Sequence, residues 1–508
     1  MAEKGIVFIV GTGPDLLALL TVRGRELLAT ADAVVYERKS QHKLIPGGAT
    51  GGPERYYTGP RGKTPRTAPV DVAALLVTLA RKDLRVVHLM HGDPLSLGRG
   101  TDLVTALHDA TVQFEVVPGV NPGNAASTYA GVPLLSTTLA STAIFANGRN
   151  GSRRSRETDW SAIARVGGTV VVRNAIPALP AIVAGFATAG VGGEIPAAAI
   201  SRPGRPEQRT VIATLGTLAE AMDRAGMSGA PTVIIGWTVV LRDEIAWFDT
   251  RSLFGVRIVL ARPRHGPSRT GDALRELGAN IIEVPRLGVA RLDLDQLRDA
   301  IADLASYEWI VFSSPDAVQI FWEQLLLAGL DTRALSAVKV ACVDPATAAS
   351  LLDRGITVDV TQEKFDALSL IDTLTDRPDI PGASMLYVAD DATAEPFGRE
   401  LEQAGAVVTA LSVYRDVPLE RALQRFRRAM AEHGIDLVVA MSPAAAEDYI
   451  RAAGDHASAS IRAAAYDAAT AQVLQDAGIE VVIIPPAANT ESLVNAIRER
   501  LGKARSDP

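Results

Sequence analysis

The glycine-rich run between residues 91 and 100 carries the residue types best suited to chemistry, because it joins an apolar segment to a turn with one carboxylate. It reads His91-Gly92-Asp93-Pro94-Leu95-Ser96-Leu97-Gly98-Arg99-Gly100, and it follows the strand-like Arg85-Val86-Val87-His88-Leu89-Met90. A strand that ends in such a turn exposes backbone N–H groups, and glycine lets a ligand approach them closely. The run predicts a cradle for a nucleotide-like cofactor, while the alternative is that Gly-Asp-Pro forms an ordinary turn.

The composition is that of a folded protein with several domains. A length of 508 residues suggests about three or four compact units, since a domain averages roughly 150 residues. The net charge is −7 and the basic residues are dispersed, which argues against a nucleic-acid-binding protein. The single cysteine, Cys342, excludes internal disulfides, and the 7 scattered histidines give no ligand set for a metal. No apolar run approaches the ~18 residues that cross a bilayer, so we expect no membrane partner and a cytoplasmic location.

Short strand-like runs alternate with helical runs rich in alanine and leucine, which predicts an α/β protein with largely parallel sheets. In the first half we predict strands over Ile6–Val10, Ala33–Tyr36, Val86–Met90, Phe114–Val117, Thr169–Arg173, Ala197–Ser201, Thr210–Ala213 and Pro231–Gly236. Helices are predicted over Leu16–Ala31 and Val70–Lys82, and the polar run from Asn147 to Arg154 is predicted to be a mobile loop.

The pattern restarts near residue 250, and beyond that point the chain weakly repeats itself. The run from Trp309 to Val318 is similar to the run from Leu437 to Ala445. In the same order, Val340 to Ala348 is similar to Ala463 to Ala471. Two similar α/β lobes in the second half are the simplest interpretation.

Ordered motif matches in the first ~250 residues resemble the uroporphyrinogen-III C-methyltransferase family. The matching runs are Val10 to Pro14, Ala31 to Glu37, Gly92 to Pro94, Gly98 to Gly100, Val116 to Gly119, Tyr129 to Leu134, Gln208-Arg209 and Leu241 to Phe248. From about Leu253 to Leu501 the chain resembles uroporphyrinogen-III synthase. The matching runs there are Ala261-Arg262-Pro263-Arg264, Trp309 to Val318 and Val413-Tyr414-Arg415.

The resemblance implies a two-lobed tetrapyrrole methylase-type unit over residues 1–250, with lobes of about 1–117 and 118–250. It implies that a uroporphyrinogen-III synthase-type unit with two flavodoxin-like lobes follows over residues 251–508. Lobe one of that unit would combine about 255–288 with 416–505, and lobe two would span about 289–415.

The implied function is a bifunctional tetrapyrrole biosynthesis enzyme. It would cyclise hydroxymethylbilane to uroporphyrinogen III and methylate that product with S-adenosylmethionine toward precorrin-2. A homodimer through the methyltransferase-like half is a further implication. The alternative is a divergent paralogue that keeps the folds, has lost the methyltransferase or both activities, and binds a tetrapyrrole or a partner.

In the methyltransferase-like half, Glu37 takes the family's place of the proton acceptor, or else it is a solvated strand end. The implied cofactor-binding residues are Pro14, His91, Gly92, Asp93, Ser96, Asn121, Pro122 and Asn174, and the implied substrate-binding residues are Arg61 and Arg99. Three departures from the family narrow or alter this site: His91 replaces a glycine, Asn174 a methionine, and Pro60 the proton-donating lysine.

In the synthase-like half, Tyr414 is the candidate acid that helps a hydroxyl depart, or else a half-buried linker tyrosine. The candidate substrate-binding residues are Arg262, Arg264, Ser313, Ser314, Thr347, Arg415, Ser442 and Thr470, and the alternative for each is a solvated or helix-capping role. Carboxylates at Asp390-Asp391, Asp344 and Asp467 depart from the family, and they would repel an anionic substrate if they faced the cleft.

Overall fold

Two compact units make up the chain in this computed structural model, one ending at Gly255 and the other running from Val256 to Gly502. The structure describes residues 5–46, 52–60, 64–96, 99–148, 157–262, 268–284, 288–361, 367–417, 420–432, 434–456 and 461–502. Within these ranges no helix is long and apolar enough to cross a membrane.

The first sheet of unit one is parallel throughout, with the strand order β3-β2-β4-β1-β5. Its strands are β1 (Ile6–Gly11), β2 (Ala33–Tyr36), β3 (Glu54–Tyr57), β4 (Arg85–Met90) and β5 (Gln113–Val117). Its helices are α1 (Val22–Ala29), α2 (Pro69–Ala80) and α3 (Arg99–Asp109). Helix α1 packs on one face of the sheet, and α2 and α3 pack on the other. The inner strands β1 and β2 are therefore apolar along their whole length rather than alternating.

The second sheet of unit one is mixed, with the order β6-β7-β10-β8-β9. Its strands are β6 (Ala143–Asn147), β7 (Thr169–Arg173), β8 (Pro196–Ser201), β9 (Arg209–Thr214) and β10 (Thr232–Ile235). The helices are α4 (Pro122–Ala130), α5 (Trp160–Val166), α6 (Leu179–Thr188), α7 (Leu218–Arg224) and α8 (Arg242–Ile245). Only β6 and β7 pair in parallel, so this sheet departs from the expected parallel arrangement. The strands β8 and β9 are antiparallel because only residues 202–208 connect them, which folds them into a hairpin, and β10 pairs antiparallel with both β7 and β8.

Unit two contains two sheets, and the chain leaves the first to build the second before it returns. The first sheet, β12-β11-β19-β20-β21, consists of β11 (Arg257–Ala261), β12 (Asn280–Glu283), β19 (Leu437–Ala440), β20 (Arg462–Ala465) and β21 (Glu480–Ile483). The second sheet has the order β13-β18-β17-β14-β15-β16. Its strands are β13 (Gly288–Arg291), β14 (Trp309–Phe312), β15 (Lys339–Cys342), β16 (Val360–Thr361), β17 (Ser384–Asp390) and β18 (Val407–Val417).

All strand pairs of unit two are parallel except β13 with β18, the strands by which the chain enters and leaves the second sheet. The helices are α9 (Arg269–Glu276), α10 (Asp295–Ala302), α11 (Pro315–Leu327), α12 (Pro345–Leu352), α13 (Ala367–Thr375), α14 (Ala394–Gln403), α15 (Glu420–Glu432), α16 (Pro443–Ala453), α17 (Ala468–Asp476) and α18 (Thr490–Leu501).

The repeat seen in the sequence corresponds to one folding pattern in the two sheets of unit two. In each sheet a strand, a helix, a strand and a helix follow in order, as β14-α11-β15-α12 and as β19-α16-β20-α17. Ser314 and Ser442 cap the first helix of each set, and their Oγ atoms accept hydrogen bonds of 3.1 and 3.2 Å from backbone N–H groups. Asp344 and Asp467 cap the second helix in the same way.

Candidate functional site

Two glycine turns meet at the carboxyl ends of β1 and β4 in unit one. Gly13 and Gly92 exchange backbone hydrogen bonds of 3.2 and 2.8 Å, and both have positive φ angles, +57° and +80°. A third turn, after β5, packs on them so closely that a Cβ on Gly119 would lie 2.4 Å from the Gly92 carbonyl oxygen. Ligands of open α/β sheets bind outside the carboxyl ends of the strands. The predicted cofactor turn therefore lies where such a ligand would bind.

The carboxylate of Asp93 holds this turn together. Its Oδ1 accepts hydrogen bonds from the backbone of Leu95 (3.1 Å) and from the backbone and hydroxyl of Ser96 (2.9 and 2.8 Å). Its Oδ2 accepts one from the Gly119 N–H at 3.2 Å. Burial raises the pKa of Asp93, but these hydrogen bonds outweigh it and the pKa is lowered. Asp93 and Ser96 thus shape the turn and join it to the loop after β5.

Three further predicted cofactor residues lie at element ends of the second lobe. Asn121 caps α4, accepting a hydrogen bond of 2.8 Å from the Gly123 N–H, and Pro122 is buried in the first turn of that helix. Asn174 follows β7 with a φ of +51°, and its Nδ2 donates to Asn147 Oδ1 at 3.0 Å. Asn121 therefore has the capping role that position favours.

A buried carboxylate that the sequence analysis did not single out, Asp15, joins the turns after β1, β2 and β4. It accepts hydrogen bonds from Thr12 Oγ1 (2.7 Å) and Ser40 Oγ (2.6 Å). Arg38 Nε lies 3.1 Å from its Oδ2, and His91 Nδ1 lies 3.4 Å from its Oδ1. Both Asp15 and Arg38 closely follow a strand end, and that position is the signal that could have identified them.

The environment of Asp15 stabilises its charged form. Burial raises the pKa of this carboxyl, but the nearby imidazole of His91, together with the hydroxyls of Ser40 and Thr12, lowers it from 3.8 to about 2. Burial lowers the pKa of His91, and the charge of Arg38 lowers it as well. Asp15 raises this pKa, but the net shift is downward. At neutral pH the pair is therefore a carboxylate and a neutral imidazole.

We expect Asp15→Asn to destabilise unit one at neutral pH by about 2 kcal/mol. Because the folded-state pKa of about 2 lies below the ordinary value of 3.8, this contribution is complete above about pH 5. It is lost as the pH falls through about 2. Urea unfolding at a series of pH values, followed by hydrogen exchange of peptides from β1, measures the difference. The exposed Asp223→Asn is the control, and a difference for Asp15→Asn that stays constant down to pH 2 would contradict the prediction.

The candidate base Glu37 is buried directly after β2. It forms an ion pair with Arg66, and its backbone N–H donates to Gln41 Oε1 at 3.1 Å. It also lines a small pocket together with His88 and Asp102, among other residues. A solvated strand end, the alternative given by the sequence, would be exposed, whereas Glu37 is buried.

Three other residues named in the sequence analysis of this half add no described contact to the site. Pro60 is exposed, and the side chain of Arg99 and the whole of Arg61 lie outside the described residues.

In unit two, Tyr414 on β18 is buried and its phenol lies 2.7 Å from Ser314 Oγ. Burial raises the pKa of Tyr414 to about 12, against the hydrogen bond from Ser314, so the phenol keeps its proton at neutral pH. Tyr387, which the sequence analysis missed, is buried on the neighbouring strand β17, and burial raises its pKa well above the usual value. The buried hydroxyl of Ser313 counteracts part of the rise in pKa of both phenols. It makes no hydrogen bond of normal geometry to a described residue.

The other candidate substrate residues of unit two lie mainly at the carboxyl ends of strands. Arg262 Nη2 contacts Glu283 Oε2 at 3.1 Å, and Arg415 is exposed on β18. Thr347 and Thr470 are fully buried, and their hydroxyls make no hydrogen bond to a described residue. Ser442 caps α16, as noted above, and Arg264 lies outside the described residues.

The carboxylates that could repel an anionic substrate have local partners. Asp344 and Asp467 accept hydrogen bonds of 2.7 and 2.8 Å from the N–H groups of Thr347 and Thr470. Asp390 accepts from the backbone and hydroxyl of Thr393. These groups act as caps and turn residues, and a negative charge at a helix N-terminus is favourable there. In the described part of the chain, no group of histidine, cysteine or acidic side chains is arranged to hold a metal ion.

Comparison with known proteins matches each half of the chain to a different family. Tetrapyrrole (corrin/porphyrin) methylases match residues 7–219, and uroporphyrinogen-III synthase HemD matches residues 268–495. A porphyrin biosynthesis protein HemD of Ruminiclostridium josui is 31% identical over 74% of this chain and 74% of its own length. A uroporphyrinogen-III C-methyltransferase of Bacillus subtilis is 28% identical over 71% of this chain and 74% of its own length.

A solved structure of the uroporphyrin-III C-methyltransferase from Thermus thermophilus, complexed with S-adenosyl homocysteine, is also similar. It is 30% identical, its match covers 47% of this chain and 100% of that chain, and the TM-score is 0.38.

Proposed function

We propose that the two units of this chain catalyse consecutive steps. The chain belongs to the family of porphyrin biosynthesis proteins that join a tetrapyrrole methylase to a uroporphyrinogen-III synthase. It is an enzyme with both activities of that family, and its methyltransferase unit uses S-adenosylmethionine. Unit two closes hydroxymethylbilane to uroporphyrinogen III, and unit one methylates this product toward precorrin-2. The protein acts in the cytoplasm as a homodimer through unit one.

The observation that carries this proposal is that each unit has a buried proton-handling side chain at a strand end or on a linking strand. Glu37 has this position in unit one, and Tyr414 has it in unit two. Each is held by a polar neighbour, Arg66 or Ser314. A paralogue without activity would have no need to keep a buried carboxylate and a buried phenol paired in this way.

The glycine turns of unit one fit the methyl donor. Side chains at Gly13 and Gly92 would be strained at their positive φ angles, and a Cβ on Gly13 would already contact Val120 Cβ at 3.4 Å. Pro14 adds a rigid end to this turn, and its carbonyl oxygen is held by Arg205 Nη2 at 3.3 Å. S-adenosylmethionine, when bound, supplies an electrophilic methyl group.

The residues of unit one then have defined tasks in methyl transfer. The carboxylate of Glu37 accepts the proton that the tetrapyrrole loses from another carbon of the macrocycle when the methyl group is added. Arg66 forms an ion pair with that carboxylate and orients it before the transfer. Asp15 and Asp93 fix the strand-end turns, so that the reacting groups meet in one geometry.

In unit two, the Tyr414 phenol donates a proton to the hydroxyl that leaves hydroxymethylbilane as water. Its raised pKa keeps the proton in place until the substrate arrives. The Ser314 hydroxyl orients the phenol, and the helix that begins after Ser314 presents its N-terminus to the negative charges of the substrate.

One coupled assay tests the proposal. Purified protein is incubated with freshly generated hydroxymethylbilane, with and without S-adenosylmethionine, and the oxidised products are separated by isomer and by methyl content. We expect uroporphyrin III without the donor and methylated products with it. Uroporphyrin I alone, without methylated product, would contradict the proposal and favour a paralogue that has lost both activities.

A further inference from the structure

Arg173, the last residue of β7, is a partly buried arginine. Its guanidinium makes no hydrogen bond or ion pair with any residue that the structure describes, in contrast to Arg38, Arg66 and Arg205 of the same unit. Removing a charged group from water without a compensating partner is costly. An arginine kept in this state points to a partner that is not part of the protein.

The surroundings of Arg173 are positively charged. Burial lowers the pKa of its guanidinium, and the charge of Arg38 lowers it further. Arg173 in turn contributes to lowering the pKa of His91. The four residues Asp15, Arg38, His91 and Arg173 are called the charged cluster below.

The single carboxylate of the charged cluster does not neutralise it. Asp15 already accepts hydrogen bonds from Thr12 and Ser40 and forms its ion pair with Arg38. With His91 neutral, the charged cluster therefore holds two guanidinium groups and one carboxylate. The cluster carries one excess positive charge beside the glycine turns at the carboxyl ends of β1 and β4.

We propose that Arg173 binds a carboxylate group of a ligand that enters unit one, with Arg38 beside it. The planar guanidinium matches a carboxylate in a two-point contact, and Arg173 is free to make it. The inference rests on the proposed function, in which both ligands of this unit carry carboxylates. These are the amino acid part of the methyl donor and the acidic side chains of the tetrapyrrole.

Calorimetry on the full-length protein tests whether the bound carboxylate belongs to the methyl donor. S-adenosylhomocysteine carries the amino acid carboxylate, and 5′-methylthioadenosine lacks it. If Arg173 binds that carboxylate, Arg173→Met weakens S-adenosylhomocysteine binding about tenfold or more and leaves 5′-methylthioadenosine binding unchanged. Arg173→Lys, which keeps the charge but loses the two-point contact, gives an intermediate loss.

Steady-state kinetics test whether the bound carboxylate belongs to the tetrapyrrole. If Arg173 binds a tetrapyrrole carboxylate, S-adenosylhomocysteine binding is unchanged in Arg173→Met. The KM for supplied uroporphyrinogen III in methyl transfer then rises about tenfold or more, while kcat stays within about twofold. High salt should reduce the difference between wild type and variant, because it screens the contact.

Thermal unfolding without ligand separates this role from a structural one. Removing an unpaired, partly buried charge should raise the Tm of Arg173→Met by about 2 to 4 °C, whereas loss of a structural contact would lower it. Arg224→Met is the matched control, since Arg224 is exposed on α7 of the same lobe and forms a surface ion pair with Glu220. The control should bind both nucleosides like the wild type.

The inference is overturned if Arg173→Met changes neither S-adenosylhomocysteine binding nor the KM for uroporphyrinogen III, or if the wild type binds neither compound. A wild-type protein that binds S-adenosylhomocysteine but transfers no methyl group would contradict the proposed function alone. In that case the comparison of the two nucleosides still decides the role of Arg173.

Discussion

Tyr414→Phe lowers the rate of ring closure by about a hundredfold or more, because it removes the only proton that this side chain can donate. Methyl transfer to supplied uroporphyrinogen III is unchanged, since Tyr414 belongs to unit two. The raised pKa of about 12 gives a further expectation. The ionisation of Tyr414 should cause no loss of ring-closing activity up to about pH 10, where less than a tenth of the phenol is deprotonated.

The measurement is the initial rate of hydroxymethylbilane consumption, together with the ratio of uroporphyrin III to uroporphyrin I. Tyr449→Phe is a matched control, because Tyr449 is also fully buried in unit two and burial also raises its pKa to about 12. Its phenol oxygen makes no hydrogen bond to a described residue, so its removal should not cost stability or rate. Equal rates for Tyr414→Phe and the wild type would exclude Tyr414 as the acid.

Glu37→Gln should lower methyl transfer by about a hundredfold or more while ring closure proceeds at the wild-type rate. The amide has nearly the same shape as the carboxylate, but it cannot accept the proton that the tetrapyrrole loses on methylation. Glu37→Asp keeps the carboxylate and should retain most of the activity that the amide loses. The readout is transfer of a labelled methyl group from S-adenosylmethionine to uroporphyrinogen III.

Glu115→Gln is the control for the loss of an ion pair in the same sheet. Glu115 accepts two hydrogen bonds, of 2.9 and 2.8 Å, from Arg23 at the surface of unit one. Its replacement removes an ion pair without touching the strand-end turns, and surface pairs contribute little. Methyl transfer at the wild-type rate by Glu37→Gln, with S-adenosylhomocysteine bound normally, would show that another group takes the proton.

Apolar runs with clear ends made several elements predictable. The strands Ala33–Tyr36 and Thr169–Arg173 have the same bounds in the structure as in the sequence analysis, because each is a buried run between polar or glycine residues. The helix predicted over Leu16–Ala31 begins only at Val22. Thr21 caps it by accepting a hydrogen bond from the Gly24 N–H, and the preceding leucines form a short 3-10 turn.

The strands β3 and β6 are short, partly exposed edge strands, and both were missed. Strand β3 begins with two charged residues and shows no continuous apolar run, whereas the apolar run of β6 covers only four residues, Ala143 to Ala146. The predicted loop begins within β6, at Asn147, and its residues 149–154 lie outside the described part of the chain.

The candidate site of unit one was predictable only where a family motif marks it. The turn from His91 to Ser96 could be found in this way. Asp15, Arg38 and Arg173 lie far from that turn in sequence, and no spacing rule connects them. Asp15 and Arg38 meet because the parallel strands of the first sheet bring their carboxyl ends to one edge, whereas Arg173 comes from β7 of the second sheet, and neither placement follows from a local pattern.

The antiparallel pair of β13 and β18 has a mechanical consequence for unit two. These strands carry the chain into and out of the second sheet, and Tyr414 lies opposite Arg291 within the pair. Two hydrogen-bonded strands resist twisting far more than a single chain would. In the proposed function, the proton donor of unit two therefore lies on a stiff two-stranded ribbon, which holds the phenol in one position relative to the second sheet.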